Sequence, residues 1–376
     1  MKIAFDAKRA FTNSSGLGNY SRALIKSLVE LYPNNEYSLY TPAISQKDFL
    51  EQMRNKQNVE ICTPRSFVSQ SMPFLWRSFS ITKQLQQNHT SIYHGLSNEL
   101  PFNISQFRNL KVVSIHDLIF LRYPELYPFF DRKMYYQKVK MACRTADCII
   151  AISHQTKADL IEFFELPESK IKVVYQSCDP IFQVQPSSEQ LTAVGKKYKL
   201  PQQFILSVGT IEERKNLLTL VKALQQCKEL ELVVVGRKRA YYRQVANFIL
   251  ENNMQARIHF LEDVANSELP ALYCLAKLFV YPSFFEGFGI PILESLFCKT
   301  PVIAANSSSL PEVGGAHTVY FESSNADQLA AEINRIFYSD TLQKDMAEQG
   351  YNHAQKFLPE EVARTMMNLY LKEWKP

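Results

Sequence analysis

Leu278-Phe-Val-Tyr-Pro-Ser-Phe-Phe-Glu286-Gly-Phe-Gly289-Ile-Pro291-Ile-Leu-Glu294-Ser-Leu-Phe297 reads as a strand, a glycine turn and a helix. The apolar strand ends at Val280, the glycines let backbone approach something closely, and Pro291 suits a first helical position. The N–H groups of such a helix start form an anion site. Glu286 lies in the loop and Glu294 about one turn into the helix, so both can face one crevice. Read only as structure, the first is a solvated loop charge and the second a surface helix residue. Read as chemistry, two carboxylates around an anion-binding turn suit a ligand with both hydroxyls and phosphates, a sugar nucleotide.

Working outward, short β-branched or apolar runs alternate with helical patterns along the whole chain, which argues for βα units and parallel sheets. One series holds Ile3–Phe5, Tyr37–Tyr40, Ile92–His94, Val112–Ile115, Cys148–Ala151 and Ile171–Tyr175. A second holds Phe204–Val208, Leu230–Val235, Ile258–Phe260, Leu278–Val280, Val302–Ala304 and Thr318–Phe321. Each is the size of one doubly wound domain. The Pro/Ser/Gln stretch from Asp179 to Glu189 reads as the connection, and the second domain begins near Pro201. Tyr20, Leu24, Leu28 and Leu31 recur at helical spacing after Gly18-Asn19, with Pro33 as the stop. The last segment, Pro359–Trp374, puts Val362, Met366, Leu369 and Tyr370 on one face, a helix seeking an apolar groove. The fold class is α/β, in two doubly wound Rossmann-like domains. Their spans are residues 1–180 and 190–358, with the helix of 359–376 packing back on the first.

Composition agrees and excludes much else. Two domains suit 376 residues, since single cores rarely grow past about 250–300. Hydrophobic residues make up 46% and charged ones 21%, which excludes disordered and fibrous classes. The seven scattered cysteines contain no C-x-x-C, so no zinc ribbon or thioredoxin-type motif is present, and reduced thiols are expected. Lys+Arg 42 against Asp+Glu 37 gives +5 without a dense basic block, which predicts no nucleic-acid partner. No apolar run approaches a membrane span, and Asp6 interrupts any secretory h-region, so a cytoplasmic protein is expected.

Three further segments carry chemistry. Phe204-Ile-Leu-Ser-Val-Gly209-Thr-Ile-Glu-Glu-Arg214-Lys215-Asn216 sets two cations after a strand that ends in glycine, where they can clamp a pyrophosphate or simply be solvated loop charges. Gly16-Leu-Gly18 follows the first strand but lacks the third glycine of a dinucleotide fingerprint, and alone it is a turn. His116 ends a strand at the mouth of the first sheet, placed to touch substrate or satisfied structurally. Separately, Tyr123–Arg144 mixes rings (Tyr127, Phe129, Phe130, Tyr135, Tyr136) with Arg132, Lys133, Lys138 and Lys140. That suits either a core wall or peripheral contact with anionic membrane.

Together these residues resemble the GT-B glycosyltransferases of family 4, the group 1 glycosyl transferases. Glu286 and Glu294 match the E-x7-E motif, Val208–Asn216 matches V-G-T-x-E-P-R-K-N of the mannosyltransferase-like branch, Glu268–Tyr273 matches E-L-P-x-L-Y, and Ser309–Val313 matches S-x-P-E-V. The resemblance implies a retaining enzyme that moves a hexose, mannose from GDP-mannose in that branch, to a glycan or lipid-linked acceptor in surface polysaccharide synthesis. It implies a donor/acceptor cleft between the domains and a place on the inner face of the membrane. It also implies roles. Glu294 would bond the ribose hydroxyls and Glu286 the hexose hydroxyls, while the amides of Phe288, Gly289 and Ile290 would meet sugar and phosphate. Arg214 and Lys215 would hold the diphosphate, with Gly16 and Gly18 closing on it. Val264 would meet the base, and His116 would sit near the transferring carbon. No cofactor and no metal are implied: the chain has no D-x-D, so cations and a helix start would stabilise the leaving group.

The chain also departs from the pattern. Glu213 stands where proline is usual, Thr210 where some relatives carry arginine, and Ala316-His317 where an acidic residue is common. The alternative class is a sugar-nucleotide epimerase on the same scaffold. A periplasmic-type binding protein would want a signal peptide, and a nicotinamide oxidoreductase a complete glycine fingerprint.

Overall fold

The structure is a computed structural model that describes residues 1–13, 16–64 and 70–375. The chain divides into two units, Met1–Cys178 with Phe357–Pro376, and Asp179–Lys356. In the first, β1 (Lys2–Asp6), β2 (Glu36–Tyr40), β3 (Val59–Cys62), β4 (Ile92–Gly95), β5 (Leu110–Ile115), β6 (Cys148–Ala151) and β7 (Ile171–Val173) form one sheet in the order β3-β2-β1-β4-β5-β6-β7. The second holds β8 (Phe204–Val208), β9 (Glu231–Val235), β10 (Ile258–Leu261), β11 (Leu278–Tyr281), β12 (Val302–Ala305) and β13 (Val319–Phe321), in the order β10-β9-β8-β11-β12-β13. All pairings are parallel; Ile3, for example, lies opposite both Tyr37 and Ile92. Helices cover both faces, so most strands are buried throughout, which is why they read as unbroken apolar runs. Each sheet reverses its strand order once, between β1 and β4 and between β8 and β11. Ligands bind outside the carboxyl ends of strands at such points.

Three local departures from the sequence reading have physical reasons. β3 is an edge strand with Glu60 exposed, and its four residues are too few for a visible period. The first strand is followed by a short helix, Lys8–Thr12, and Gly16 and Gly18 lie in the first turn of the Gly16–Leu31 helix rather than in an open turn. The second unit begins at Asp179, not near Pro201, because Phe182 is buried against Tyr273 with ring centroids 5.8 Å apart.

The Pro359–Glu373 helix belongs to the first unit. Its Val362, Ala363, Met366 and Tyr370 share a core with Tyr20, Leu24 and Leu28 of the Gly16–Leu31 helix. A buried polar chain fixes it further. Tyr370 OH bonds His94 Nδ1 at 2.5 Å, His94 Nε2 bonds Ser114 Oγ at 2.8 Å, and Ser114 Oγ bonds Tyr20 OH at 2.8 Å. Burial, helped by nearby His116, lowers the His94 pKa to about 3, so the link is neutral.

Candidate active site

The switch point of the second unit gathers the charged residues singled out from sequence. After β8, residues Glu213–Lys215 make a 3-10 turn that ends on Asn216 in the left-handed region (φ 54°). Asn216 Nδ2 donates to Pro282 O (3.1 Å) and Ser323 O (2.7 Å), while Phe284 N donates to Arg214 O (3.0 Å). The loops after β8 and β11 are thereby tied together.

Inside that tie, Glu286 is buried, 8% exposed, and fully engaged. Its Oε1 accepts from Lys215 Nζ (2.5 Å), Ser283 Oγ (2.5 Å) and Tyr281 OH (3.0 Å), and Arg214 Nη1 stands 2.7 Å from Oε2. Burial alone would raise its pKa, but the Lys215 and Arg214 charges and the hydrogen bonds from Lys215 and Ser283 outweigh it and hold the carboxyl at about 2. Glu286 is therefore a fixed anion, not a solvated loop charge. Lys215 shows the reverse balance: burial lowers its pKa more than Glu286 raises it. Glu286 and Glu212, the second carboxylate on Arg214, together balance the two cations. Arg214 also donates to Phe285 O (2.7 Å) and reaches Glu212 Oε1 (2.8 Å), whereas Glu213, the residue in the proline position, is exposed.

Gly289 starts the Ile290–Phe297 helix at φ 119°, a conformation L side chains rarely adopt, and a Cβ there would stand 2.9 Å from Leu310 Cδ2. Ser309 Oγ donates to Phe288 O (2.7 Å) and Glu286 O (3.0 Å), and Glu286 N donates to Ser308 Oγ (2.9 Å), fixing the turn from below. Phe288 is buried and Ile290 half-buried. Glu294 lies within that helix and accepts from Tyr273 OH at 2.8 Å. Burial raises its pKa to about 7, with Asp179 adding to the rise and the Tyr273 hydrogen bond and Lys215 opposing it. Val264 sits apart, half-buried in the loop after edge strand β10.

Gly16, Gly18 and His116 belong to the first unit. Gly18 is required where it stands, since a Cβ would lie 2.0 Å from Asn13 O. His116 is buried; its Nε2 donates to Leu96 O (2.8 Å), which fixes the tautomer, and its ring meets Tyr20 edge-on at 4.8 Å. Burial lowers its pKa to about 4. The ring is thus neutral near pH 7, with Nδ1 as its acceptor.

The aromatic segment splits. Tyr127 packs on Phe120 and Tyr136 on Phe164, while Phe129, Phe130 and Tyr135 are exposed on the Phe129–Thr145 helix, Phe130 to 82%. Lys138 pairs with Glu99 at 3.2 Å, Lys140 with Tyr136 OH at 2.8 Å, and Arg132 lies over the Phe129 ring at 5.4 Å. No described helix is long and apolar enough to cross a membrane. The cysteines are free thiols, Cys274 alone only half-buried.

Sequence reasoning did not find Tyr281, Ser283, Ser308 or Tyr273 as the groups that set the two glutamates. Signals were present in the quoted segments: Tyr281 and Ser283 stand just before Glu286, Tyr273 ends the E-L-P-x-L-Y match, and Ser308 precedes the S-x-P-E-V match.

A family model described as Glycosyl transferases group 1 matches residues 193–353, and one described as Glycosyltransferase Family 4 matches residues 14–181. The chain is 28% identical to the O-antigen chain mannosyltransferase B of Escherichia coli, covering 98% of this chain and 99% of that one. It is 29% identical to the serotype-specific mannosyltransferase WbdA of Escherichia coli over 64% of this chain, which spans 31% of WbdA. Among solved structures, Anabaena HepE in complex with UDP and glucose superposes with a TM-score of 0.75 at 19% identity, covering 99% and 100% of the chains. Sucrose-phosphate synthase from Thermosynechococcus elongatus gives 0.76 at 20%, covering 99% and 98%. At these identities the structural likeness establishes the fold, which is GT-B. With one of these models matched in each unit and a full-length relative among the O-antigen mannosyltransferases, the chain belongs to the group 1, family 4 glycosyltransferases.

Proposed function

We propose that this glycosyltransferase moves a hexose, mannose in the first instance, from a nucleotide diphosphate sugar to a glycan or lipid-linked acceptor of a surface polysaccharide, with retention and without a metal. The observation that carries the reading is the ion-pair cluster of Glu286, Lys215 and Arg214 beside the Gly289 helix start, at the carboxyl ends of β8 and β11. Transfer requires negative charge to develop on the departing diphosphate, and prearranged cations and backbone N–H groups stabilise such charge without reorganising. In this reading Arg214 and Lys215 hold the diphosphate, and the amides of Phe288, Gly289 and Ile290 meet phosphate and sugar. Glu286 receives hydroxyls of the hexose, Glu294 those of the ribose, and Val264 lies against the base. Gly16 and Gly18 serve the diphosphate. His116, neutral with Nδ1 as its acceptor, takes a hydrogen bond near the transferring carbon rather than giving up a proton. The relatives named as mannosyltransferases support mannose as the sugar, and GDP as its carrier follows from the mannosyltransferase-like motif. They do not favour an epimerase.

The exposed Phe129 and Phe130 beside Arg132 and Lys133 support peripheral contact with an anionic membrane surface, where rings enter the headgroup level and each cation contributes about 1 kcal/mol.

The test is product analysis. The protein is incubated in chelator with GDP-mannose, UDP-glucose and other sugar nucleotides, together with a lipid-linked mannoside, and the anomeric configuration of the product is read by NMR. An α-linked product from an α-linked donor is expected. An inverted product, or no transfer without added metal, refutes the mechanism.

A further inference from the structure

Of the seven cysteines Cys274 alone is not buried, and a second cysteine, Cys298, stands beside it. Cys274 lies in the Leu269–Leu275 helix, and Cys298 caps the Ile290–Phe297 helix that carries Glu294. Cys274 Sγ is 3.7 Å from Cys298 O, and the Cys298 thiol donates to Cys274. That hydrogen bond lowers the Cys274 pKa against the effect of burial, whereas burial pushes Cys143 and Cys148 up to about 12. Thiolate is the nucleophilic and oxidisable form of cysteine, so these thiols are not chemically alike.

Access comes from the opposite side of the sulfur. Cys274 Sγ is also 3.7 Å from Gln185 Oε1, and Gln185 lines an open groove of about 520 Å³ together with Val184, Pro186, Pro270 and Ala271. Gln185 is held by a long bond, Nε2 to Phe297 O at 3.4 Å. A small oxidant that enters the groove therefore has one amide side chain to pass before it meets Cys274.

The pair also adjoins a proposed donor residue. Tyr273, the neighbour of Cys274, donates to Glu294 Oε2 at 2.8 Å, and Cys298 N donates to Glu294 O at 3.1 Å. A disulfide holds its sulfurs about 2.05 Å apart, far closer than two thiols in contact. Closing one here draws the end of the Leu269–Leu275 helix toward the cap of the next helix and displaces Tyr273 OH from Glu294.

We propose that Cys274 and Cys298 are a thiol pair oxidised by peroxide, and that their disulfide weakens nucleotide binding at Glu294. The Cys274 thiolate attacks one oxygen of hydrogen peroxide; the S–O bond forms, the O–O bond breaks, and hydroxide leaves to take up a proton as water. The sulfur, oxidised by two electrons, is then a sulfenic acid. Cys298 gives up its proton and attacks that sulfur; the S–S bond forms, the S–O bond breaks, and a second water leaves. Two thiols and one peroxide thus become one disulfide and two waters. The effect on nucleotide rests on the donor role proposed for Glu294, whereas the disulfide itself does not.

The test exposes the reduced full chain to a modest excess of hydrogen peroxide, followed by alkylation, digestion without reductant and mass spectrometry. Loss of two of the seven alkylatable thiols and a peptide pair joined through Cys274 and Cys298 are expected, both reversed by dithiothreitol. Cys298→Ser should stop at a Cys274 sulfenic acid that dimedone captures, and Cys274→Ser should lose no thiol; circular dichroism checks that both variants fold. By calorimetry with GDP and UDP, the nucleotide that binds should bind the oxidised parent about fivefold or more weakly than the reduced parent, the scale of one hydrogen bond. Its affinity for Cys274→Ser should be the same before and after peroxide. Seven alkylatable thiols in the treated parent, or a disulfide that survives Cys274→Ser, overturns the pair. A Cys274–Cys298 disulfide with unchanged nucleotide affinity overturns its effect on the site. If neither nucleotide binds the reduced parent, the donor assignment and the nucleotide effect fail together, while mass still decides the disulfide.

Discussion

Replacing Glu286 by glutamine tests the proposed donor cluster most directly. Glutamine keeps the shape and can still accept from Ser283 and Tyr281, but it removes the charge that balances Lys215 and Arg214. The carboxyl stands at about 2 in the folded protein against an ordinary value of 4.5. At about 1.4 kcal/mol per pKa unit this gives about 3 kcal/mol of stability near neutrality. That meets the lower end of the ~3–5 kcal/mol lost when a buried pair is broken from one side. The sign follows from the depressed value: the contribution is fully present above 4.5 and is lost as pH falls through about 2. Because the two units need not unfold together, the readout should be local. Hydrogen exchange of β8 and β11 peptides in rising urea should show Glu286→Gln opening at lower denaturant by about 3 kcal/mol at neutral pH. The gap to the parent should narrow below pH 4.5. Equal protection at neutral pH, or a gap that ignores acidification, would refute the cluster as a charge-balanced unit.

Three further outcomes are expected. Glu294→Ala should weaken nucleoside diphosphate binding by roughly tenfold or more, and in the parent that affinity should rise as pH rises through about 7, since only the ionised acid is a full acceptor for ribose hydroxyls; calorimetry across pH decides, and a flat profile counts against the role. Changing Phe129 and Phe130 together to serine should reduce salt-sensitive sedimentation with anionic vesicles, whereas equal pelleting of parent and variant would leave the helix with no membrane role. Tyr370→Phe should destabilise the first unit by about 1–3 kcal/mol by leaving His94 Nδ1 without its buried partner, read as faster exchange in β4 and β5; an unchanged rate would mean the chain from His94 to Tyr370 does not hold the terminal helix.

The sheets were legible because parallel strands covered on both faces are apolar on both faces, so Leu230–Val235 or Cys148–Ala151 needs no period to be seen. Edge strand β3 escaped because Glu60 breaks its short run. The glycine turn before Pro291 and the cations after β8 could also be read, since each needs only local sequence and a rule about strand ends. What could not be read is pairing at a distance. Lys215 and Glu286 are 71 positions apart, and Arg77 and Asp6 likewise 71; nothing in either segment announces the other. Of the donors that hold Glu286, Tyr281 and Ser283 are close in sequence, but Lys215 comes from a loop 71 positions away, and the closure of that loop over the carboxylate could not be read. Asp6, Arg77 and Glu99 each look like ordinary surface charges until the strand order of the first sheet brings them to one edge.

The two glutamates of the E-x7-E segment show how little of a site lies in residue type. Both are glutamates on one turn and helix, and both are pressed by burial toward the neutral form. Glu286 meets two cations and two hydroxyls, and its charge is fixed. Glu294 meets one hydroxyl, Tyr273 OH, with Asp179 opposing ionisation, and its pKa moves to about 7. The difference assigns different work. A carboxylate that stays ionised can accept sugar hydroxyls at any working pH and can hold Lys215 and Arg214 in place while a diphosphate competes for them. A carboxyl poised near neutrality changes its number of acceptors as it binds, because a ligand that donates two hydroxyls stabilises the ionised form and lowers its pKa. Donor binding should then release a proton from Glu294 below pH 7 and none from Glu286. Calorimetry in two buffers of different ionisation enthalpy would register that proton, and Glu294→Gln should abolish it while leaving Glu286 and its cations untouched.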